Sequence, residues 1–324
     1  MSDTTASLRR KIEGARDLRA VVSTMKALAA ASVGQYEKSV RALDDYYRTV
    51  QLGLSVCFRS NVPARSKVGG IKPMATRKKD ADMTGAIVFG SDQGLVGQFN
   101  DVVADYTVQT LAALPGKKKV WAVGERVHDR LAFTGVPLAG LFTVPLSVKA
   151  ITPLVGNVLL QLLVREQVDG DVQWRKEGKN EVTQLYLFYN NSRAGAVYVP
   201  VHQRLLPLDA IWRRDLANLS WPTKNLPEVM GSSPATLQAL IREYLFVSLF
   251  RACAESLASE NASRLAAMER AEKNIDQLSA DLHQTFYRLR QSTIDEELFD
   301  VISGMEALAG AEQARHPADR GMDD

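Results

Sequence analysis

Proline is missing from both ends of this 324-residue chain. None occurs in residues 1–62 or 235–316, whereas residues 63–234 contain eleven of the twelve prolines. Because a proline inside a helix costs about 3 kcal/mol, its absence over such lengths permits long helices at both ends. The prolines and glycines concentrated in the middle exclude one continuous helix and predict a separate, turn-rich unit there.

Residues typical of catalytic and metal sites are also scarce. The two cysteines, Cys57 and Cys253, are far apart and show no CxxC spacing, so we expect reduced, buried thiols. The four histidines form no paired-ligand pattern, and neither GxSxG nor HExxH occurs. No uninterrupted apolar run reaches about 18 residues, as a membrane-spanning helix requires. The sequence therefore predicts no catalytic site, no metal, no cofactor and no membrane span.

Apolar residues recur every three or four positions at both ends. The N-terminal series runs from Leu8 to Leu54, and the C-terminal series runs from Leu237 to Leu289. This spacing is typical of a coiled-coil seam. Because a compact middle unit separates the two series, we expect them to pack against each other as an antiparallel coiled coil.

The C-terminal helix is predicted to outrun its partner. The N-terminal helix ends opposite about residue 287, whereas the C-terminal pattern continues to about Leu308. The extra length is on the order of 30 Å at 1.5 Å per residue. It still carries an apolar stripe, formed by Ile294, Leu298, Val301, Ile302, Met305 and Leu308. Either this tip bends back or self-associates, or another protein encloses it.

Charge is balanced overall but uneven locally. The net charge of +3 argues against a dedicated nucleic-acid binder. Basic residues nevertheless crowd the start of the N-terminal helix, at Arg9, Arg10, Lys11, Arg16, Arg19 and Lys26. Two interpretations remain open, a solvated face or the binding site of an acidic partner.

The middle of the chain alternates strand-like and helix-like segments. Strands are predicted at 84–89, 119–123, 137–142, 182–189 and 196–206, with helices at 100–114, 125–134 and 148–168. Such alternation indicates a Rossmann-like, mostly parallel α/β domain that ends in an antiparallel hairpin. The fold class is thus α/β plus a long antiparallel coiled coil, with the α/β domain inserted between the two helices.

These patterns divide the chain into six predicted segments. They are an N-terminal helix at 1–58, a linker at 59–83, the α/β domain at 84–210, a connecting loop at 211–234, a C-terminal helix at 235–310 and a flexible tail at 311–324.

A glycine-rich turn, GSDQGLVGQFN at 90–100, follows the first predicted strand. Phosphates bind at such turns in nucleotide-binding folds. However, the spacing of Gly90, Gly94 and Gly97 is neither GxGxxG nor a P-loop. The pattern favours glycines that let the backbone turn tightly, with phosphate binding as the less favoured alternative.

Three segments resemble the gamma subunit of F-type ATP synthases. LRRKIEGARDLRAVVSTMKALAAAS, from Leu8, is similar to the opening helix of that family. SDQGLVGQFN, from Ser91, is similar to its SDxGLxGxxN turn. The run from Ser259 to Leu308, SENASRLAAMERAEKN and onward, resembles the end of its shaft, and QRLLPL at 203–208 also fits. The resemblance covers nearly the whole chain in the right order.

The resemblance implies a rotor without a catalytic site of its own. The coiled coil is expected inside a ring of alpha and beta subunits, in a 3:3:1 complex, and ATP would be made or split on beta. The α/β domain is expected to rest on the membrane c ring and to bind epsilon. Membrane association would then be indirect, at the cytoplasmic face of a bacterial inner membrane. The coupling ion, proton or sodium, stays open.

The same resemblance assigns partner contacts to a few residues. Arg290 and Gln291 match a pair that hydrogen-bonds a beta-subunit loop, and Met25 and Lys26 match the place where the shaft meets an acidic lever of beta. Asp295 stands where the family usually has a threonine that completes the beta-facing contact, so that contact is altered in charge. For the c ring, the loop at 220–231 is the expected contact.

Two other classes of function compete with the rotor. A non-rotary coiled-coil scaffold would self-associate and ignore alpha and beta subunits. A nucleotide-dependent enzyme would use the turn at 90–97 and would bind nucleotide as an isolated chain.

Overall fold

The computed structural model describes residues 4–60, 83–163, 182–193, 196–225, 227–229 and 233–315. Most of the predicted linker at 59–83, and the predicted tail beyond residue 315, lie outside the described residues.

Two very long helices bracket the other elements. The elements in chain order are α1 (Thr5–Ser60), β1 (Met83–Phe89), α2 (Phe99–Ala113), β2 (Lys117–Val123), α3 (Glu125–Ala132), β3 (Leu138–Phe142), α4 (Val148–Leu163), β4 (Val182–Arg193), β5 (Ala196–Leu206), α5 (Ala210–Ala217) and α6 (Ser233–Arg315). The short helix α5 lies in the segment predicted as a loop, where the Asp209 side chain caps it by accepting a hydrogen bond from the Trp212 backbone N–H. Helix α6 extends past residue 310 into the segment predicted as a tail.

The chain forms two compact units, and α1 and α6 contribute to both. One unit contains the residues up to Met25 together with those from Met268 onward. The other contains Lys26–Ala267, which includes the whole α/β domain.

In the larger unit, α1 and α6 run antiparallel. The Tyr46 hydroxyl donates a hydrogen bond of 2.8 Å to Glu243, and Arg251 forms a 3.1 Å ion pair with Asp44. From Asp44 to Tyr46 the residue number rises along α1, whereas the partner on α6 falls from Arg251 to Glu243. The two helices therefore point in opposite directions. The predicted antiparallel helix pair is confirmed.

The smaller unit shows the same antiparallel direction. Arg19 lies 2.6 Å from Asp276, and the Arg9 guanidinium stacks over the Phe286 ring. Leu8 and Ile275 are among the buried apolar residues here. They belong to the seams whose three- and four-residue spacing predicted the helices.

The sheet has the strand order β3-β2-β1-β4-β5. The pairings among β3, β2, β1 and β4 are parallel, and β4 pairs with β5 in the antiparallel direction. The predicted mostly parallel sheet with a terminal hairpin is therefore confirmed. The order also places the carboxyl end of β1 between those of β2 and β4.

The two faces of the sheet bury different partners. Val88 of β1 and Phe188 of β4 belong to a core with Val103 of α2 and Val127 of α3. Ile87 and its neighbours on the opposite face belong to a core that includes side chains of α1, α4 and α6. Alternating side chains along β1 thus fix the α/β domain against the helix pair.

None of the described helices combines the length and the apolarity that crossing a membrane requires.

Candidate functional site

The apolar stripe near the end of α6 is exposed to solvent. Its side chains are between 44% and 67% exposed at Ile294, Leu298, Val301, Ile302 and Met305. The side chain of Leu308, the sixth predicted member, lies outside the described residues. Clusters of large exposed apolar side chains mark binding surfaces in soluble proteins.

Two exposed aromatic residues of this region were not predicted as part of the site. Phe299 is 68% exposed and Tyr287 is 62% exposed, both on the same stretch of α6. Phe299 precedes Ile302 by three residues, a spacing that puts the two on neighbouring turns of one helical face. That spacing was the signal in the sequence that could have added Phe299 to the stripe.

Helical geometry brings the polar candidates of α6 next to the stripe. Arg290, Gln291 and Asp295 are all exposed. Arg290 lies one turn before Ile294, and Gln291 lies one turn before Asp295, because residues four apart are neighbours on a helix. This end of α6 therefore presents a guanidinium, an amide and a carboxylate beside exposed apolar side chains, a combination suited to binding another protein.

Met25 and Lys26 lie on the other long helix and are both half-buried. Part of the basic cluster around them has partners within the chain. Hydrogen bonding and the charge of Arg19 lower the pKa of Asp276, the partner of Arg19 on α6. The structure thus gives Arg19 an intrachain role that neither sequence interpretation of the basic cluster had included.

The glycine turn is held together by its own side chains. Asn100 accepts a hydrogen bond from the Ser91 backbone N–H and donates one to the Ser91 hydroxyl. Asp92 accepts hydrogen bonds from two backbone N–H groups, those of Glu125 at the start of α3 and Val144 after β3. This single carboxylate therefore ties three segments together at the carboxyl edge of the sheet.

The turn also contacts helix α6. The backbone passes through left-handed conformations at Leu95 and Gly97, with φ near +60° at each. Between them lies Val96, whose carbonyl accepts a 2.6 Å hydrogen bond from the Ser263 hydroxyl of α6. These contacts give the turn a structural role in attaching the α/β domain to the helix pair.

Several buried polar side chains lie on α6 between residues 248 and 263, and two of them, Glu255 and Ser263, form hydrogen bonds with the α/β domain. These buried polar residues were not predicted, although the run SENASR at 259–264 interrupts the apolar pattern and was the available signal. Within it, Glu260 lies 2.6 Å from Arg264. Burial raises the pKa of Glu260, and the charge of Arg264 partly opposes that rise.

No group of three or more His, Cys, Asp or Glu side chains in the described part of the chain is arranged to hold a metal ion.

A protein-family model described as ATP synthase matches residues 4–308 of the chain. Among curated relatives, the ATP synthase gamma chain of Geobacter metallireducens is 28% identical over 314 residues, covering 94% of this chain and 98% of the relative. That of Brevibacillus brevis is 26% identical over 309 residues, covering 93% and 98%.

Solved structures share the fold. A chain of the Euglena gracilis mitochondrial ATP synthase, in a structure of OSCP, F1 and the c-ring, superposes with a TM-score of 0.62 at 17% identity and covers 99% of both chains. A chain of the Tetrahymena thermophila central stalk and c-ring gives 0.50 at 18% identity, covering 78% of this chain and 99% of that chain.

Proposed function

The chain belongs to the ATP synthase gamma family, and from this premise we propose that it is the central-stalk rotor of an F-type ATP synthase. In this role the pair of α1 and α6 turns inside a ring of three alpha and three beta subunits. The asymmetric pair presents a different face to each catalytic site in turn. Closure of a site then follows the rotor angle, which is coupling through rigid-body rotation.

One observation carries the proposal beyond family membership. The end of α6 exposes a stripe of large apolar side chains with Arg290, Gln291 and Asp295 beside it. Complete burial of a fully exposed side chain of this kind is worth about 1.5–3 kcal/mol, and these side chains, which are 44% to 67% exposed, would gain roughly half to two-thirds of that. A surrounding ring of subunits would therefore stabilise this end of the helix while leaving it free to rotate.

The chain is a non-catalytic subunit in this family, so its residues transmit position and do no chemistry. We infer that ATP is made or split on the beta subunits. Met25, Lys26, Arg290, Gln291 and Asp295 are the proposed beta contacts.

We propose that the α/β domain contacts the c ring and epsilon. Association with the membrane is then indirect, at the cytoplasmic face of a bacterial inner membrane, and the complex translocates protons or sodium ions. The bacterial sources of the curated relatives support this placement.

Reconstitution tests the proposal. The purified chain is mixed with alpha and beta subunits from the same organism, and complex mass and ATP hydrolysis are measured. We expect a 3:3:1 complex that hydrolyses ATP. If alpha and beta are folded and the chain stays outside their complex as a self-associated rod, the chain is a scaffold instead of a rotor.

A further inference from the structure

The segment of α6 that contacts the α/β domain is unusually polar for a buried stretch of helix. Its side chains with less than a tenth of their surface exposed include Ser248, Glu255, Ser256, Ser259, Glu260, Asn261 and Ser263. Burying polar groups costs free energy unless they are paired. If α6 only had to stay packed against the α/β domain, apolar side chains would be expected at these positions.

Four of the polar side chains in this region form a continuous chain of contacts across three elements. Asp44 of α1 pairs with Arg251 of α6 at 3.1 Å, and Arg251 pairs with Glu255 at 2.7 Å. The other carboxylate oxygen of Glu255 accepts a 2.8 Å hydrogen bond from the Asn191 side chain of β4. We call Asp44, Arg251, Glu255 and Asn191 the polar clamp.

A second attachment lies two helical turns further along α6. There the Ser263 hydroxyl donates to the Val96 carbonyl of the glycine turn. Eight residues of helix separate Ser263 from Glu255, about 12 Å at 1.5 Å per residue. With only one attachment, the domain could pivot about that point. A second attachment at a different height on the same helix prevents this pivoting.

Directionality distinguishes these contacts from apolar packing. The energy of an apolar contact changes little when two surfaces slide slightly, since the hydrophobic effect depends on area and has no direction. Hydrogen bonds weaken steeply when their geometry is distorted. Polar contacts therefore fix the angle between the domain and the helix, whereas the surrounding apolar core supplies adhesion.

We propose that the polar clamp is the torsional link through which torque received by the α/β domain enters the helix pair. Arg251 and Glu255 are its positioning residues, and Asn191 is its attachment to the sheet. This inference rests on the proposed rotor function, because only a rotor has to carry torque between these two parts.

The first test measures stiffness in the assembled complex. Phe133 at the end of α3 is 87% exposed, so Phe133→Cys provides a site for a bead on the α/β domain. Cys57 and Cys253 do not compete for the label, because both are buried and burial raises the pKa of each thiol. With the alpha and beta ring fixed to a surface, the angular variance of the bead reports torsional compliance.

We expect Asn191→Ala and Glu255→Ala each to raise that variance about twofold, because each removes a partner of the hydrogen bond between β4 and α6 and so opens one of two attachments that act in parallel. Arg41→Gln is the matched control, because it removes an exposed ion pair with Glu37 on α1 and should leave the variance unchanged. A lower yield of complex alone would not raise the variance of the complexes that do assemble. Unchanged variance in both clamp variants would overturn the proposal.

The second test uses the isolated full-length chain and does not depend on assembly. Spin labels on Phe133→Cys and Gln238→Cys, an exposed position of α6, report the spread of distances between the α/β domain and the helix. The clamp variants should broaden this distribution relative to Arg41→Gln. Equal widths would overturn the clamp. Failure of the unmodified chain to join alpha and beta would overturn the rotor function instead.

Discussion

Gly90 lies against Val127 so closely that a Cβ atom on Gly90 would be 2.4 Å from the Val127 Cβ. Val127 is fully buried on α3, and Asn100 Oδ1 would be only 2.7 Å away on another side. Gly90, the first glycine of the turn, is therefore required because the end of β1 packs closely against α3 and leaves no room for a side chain.

Replacing Gly90 with alanine should destabilise the chain. Overpacking a buried position typically costs about 1–3 kcal/mol, and denaturant unfolding of the isolated chain measures the loss. Gly34→Ala is the control, because a Cβ there meets nothing within 4 Å on a helix and should stabilise by about 0.5–1 kcal/mol. Similar effects of the two substitutions would argue against the packing explanation.

Breaking α6 should separate ATP turnover from ion pumping. Leu282 is half-buried on α6, in the smaller unit. Leu282→Pro removes a helical hydrogen bond and costs about 3 kcal/mol or more, so we expect α6 to kink while the α/β domain stays folded. Reconstituted complexes should hydrolyse ATP while pumping ions poorly. Leu282→Ala keeps the helix and serves as control, and normal pumping by the proline variant would contradict a stiff shaft.

Removing the guanidinium of Arg290 should weaken the catalytic complex. A hydrogen bond to a charged group contributes about 1.5–3 kcal/mol, so turnover should fall about tenfold or more if this contact is made during catalysis. Arg288 is also exposed, two residues earlier and on a different side of the helix. The test compares the ATP hydrolysis rates of complexes that contain Arg290→Ala or Arg288→Ala. Equal rates would show that Arg290 does not make the proposed contact with beta.

Glu260 should make stability depend on pH. Burial raises its pKa above the ordinary value of 4.5, against the opposing charge of Arg264 and with a further rise from Asp92. The folded chain thus holds this proton to higher pH than the unfolded chain does. Its contribution to stability is fully present below about pH 4.5 and is lost as pH rises through the raised pKa.

Glu260→Gln should therefore lose less of its free energy of unfolding than the unmodified chain when pH rises from 4.5. Denaturant unfolding at a series of pH values measures the two slopes. Glu269→Gln, at an exposed position of the same helix, is the control and should follow the unmodified chain. Coincident profiles for all three proteins would show that Glu260 carries no such linkage.

The candidate site was predictable where it depends on local periodicity. Ile294, Leu298 and Val301 were assigned to the stripe from spacing alone, and the structure exposes them on α6. Their roles toward beta subunits remain predictions. The polar clamp was not predictable, because Asp44 and Asn191 are far from Glu255 in sequence and no local pattern links a carboxylate to a distant amide.

The sequence by itself determined the two long helices, the alternation of strands and helices, and the family. Each of these depends on signals within a short stretch of chain, such as the three- and four-residue apolar spacing and the absence of proline. Tertiary structure decided the strand order, the attachment of Ser263 to Val96 and the burial of Glu260. These depend on contacts between residues distant in sequence, and only the folded chain brings their side chains within hydrogen-bonding distance.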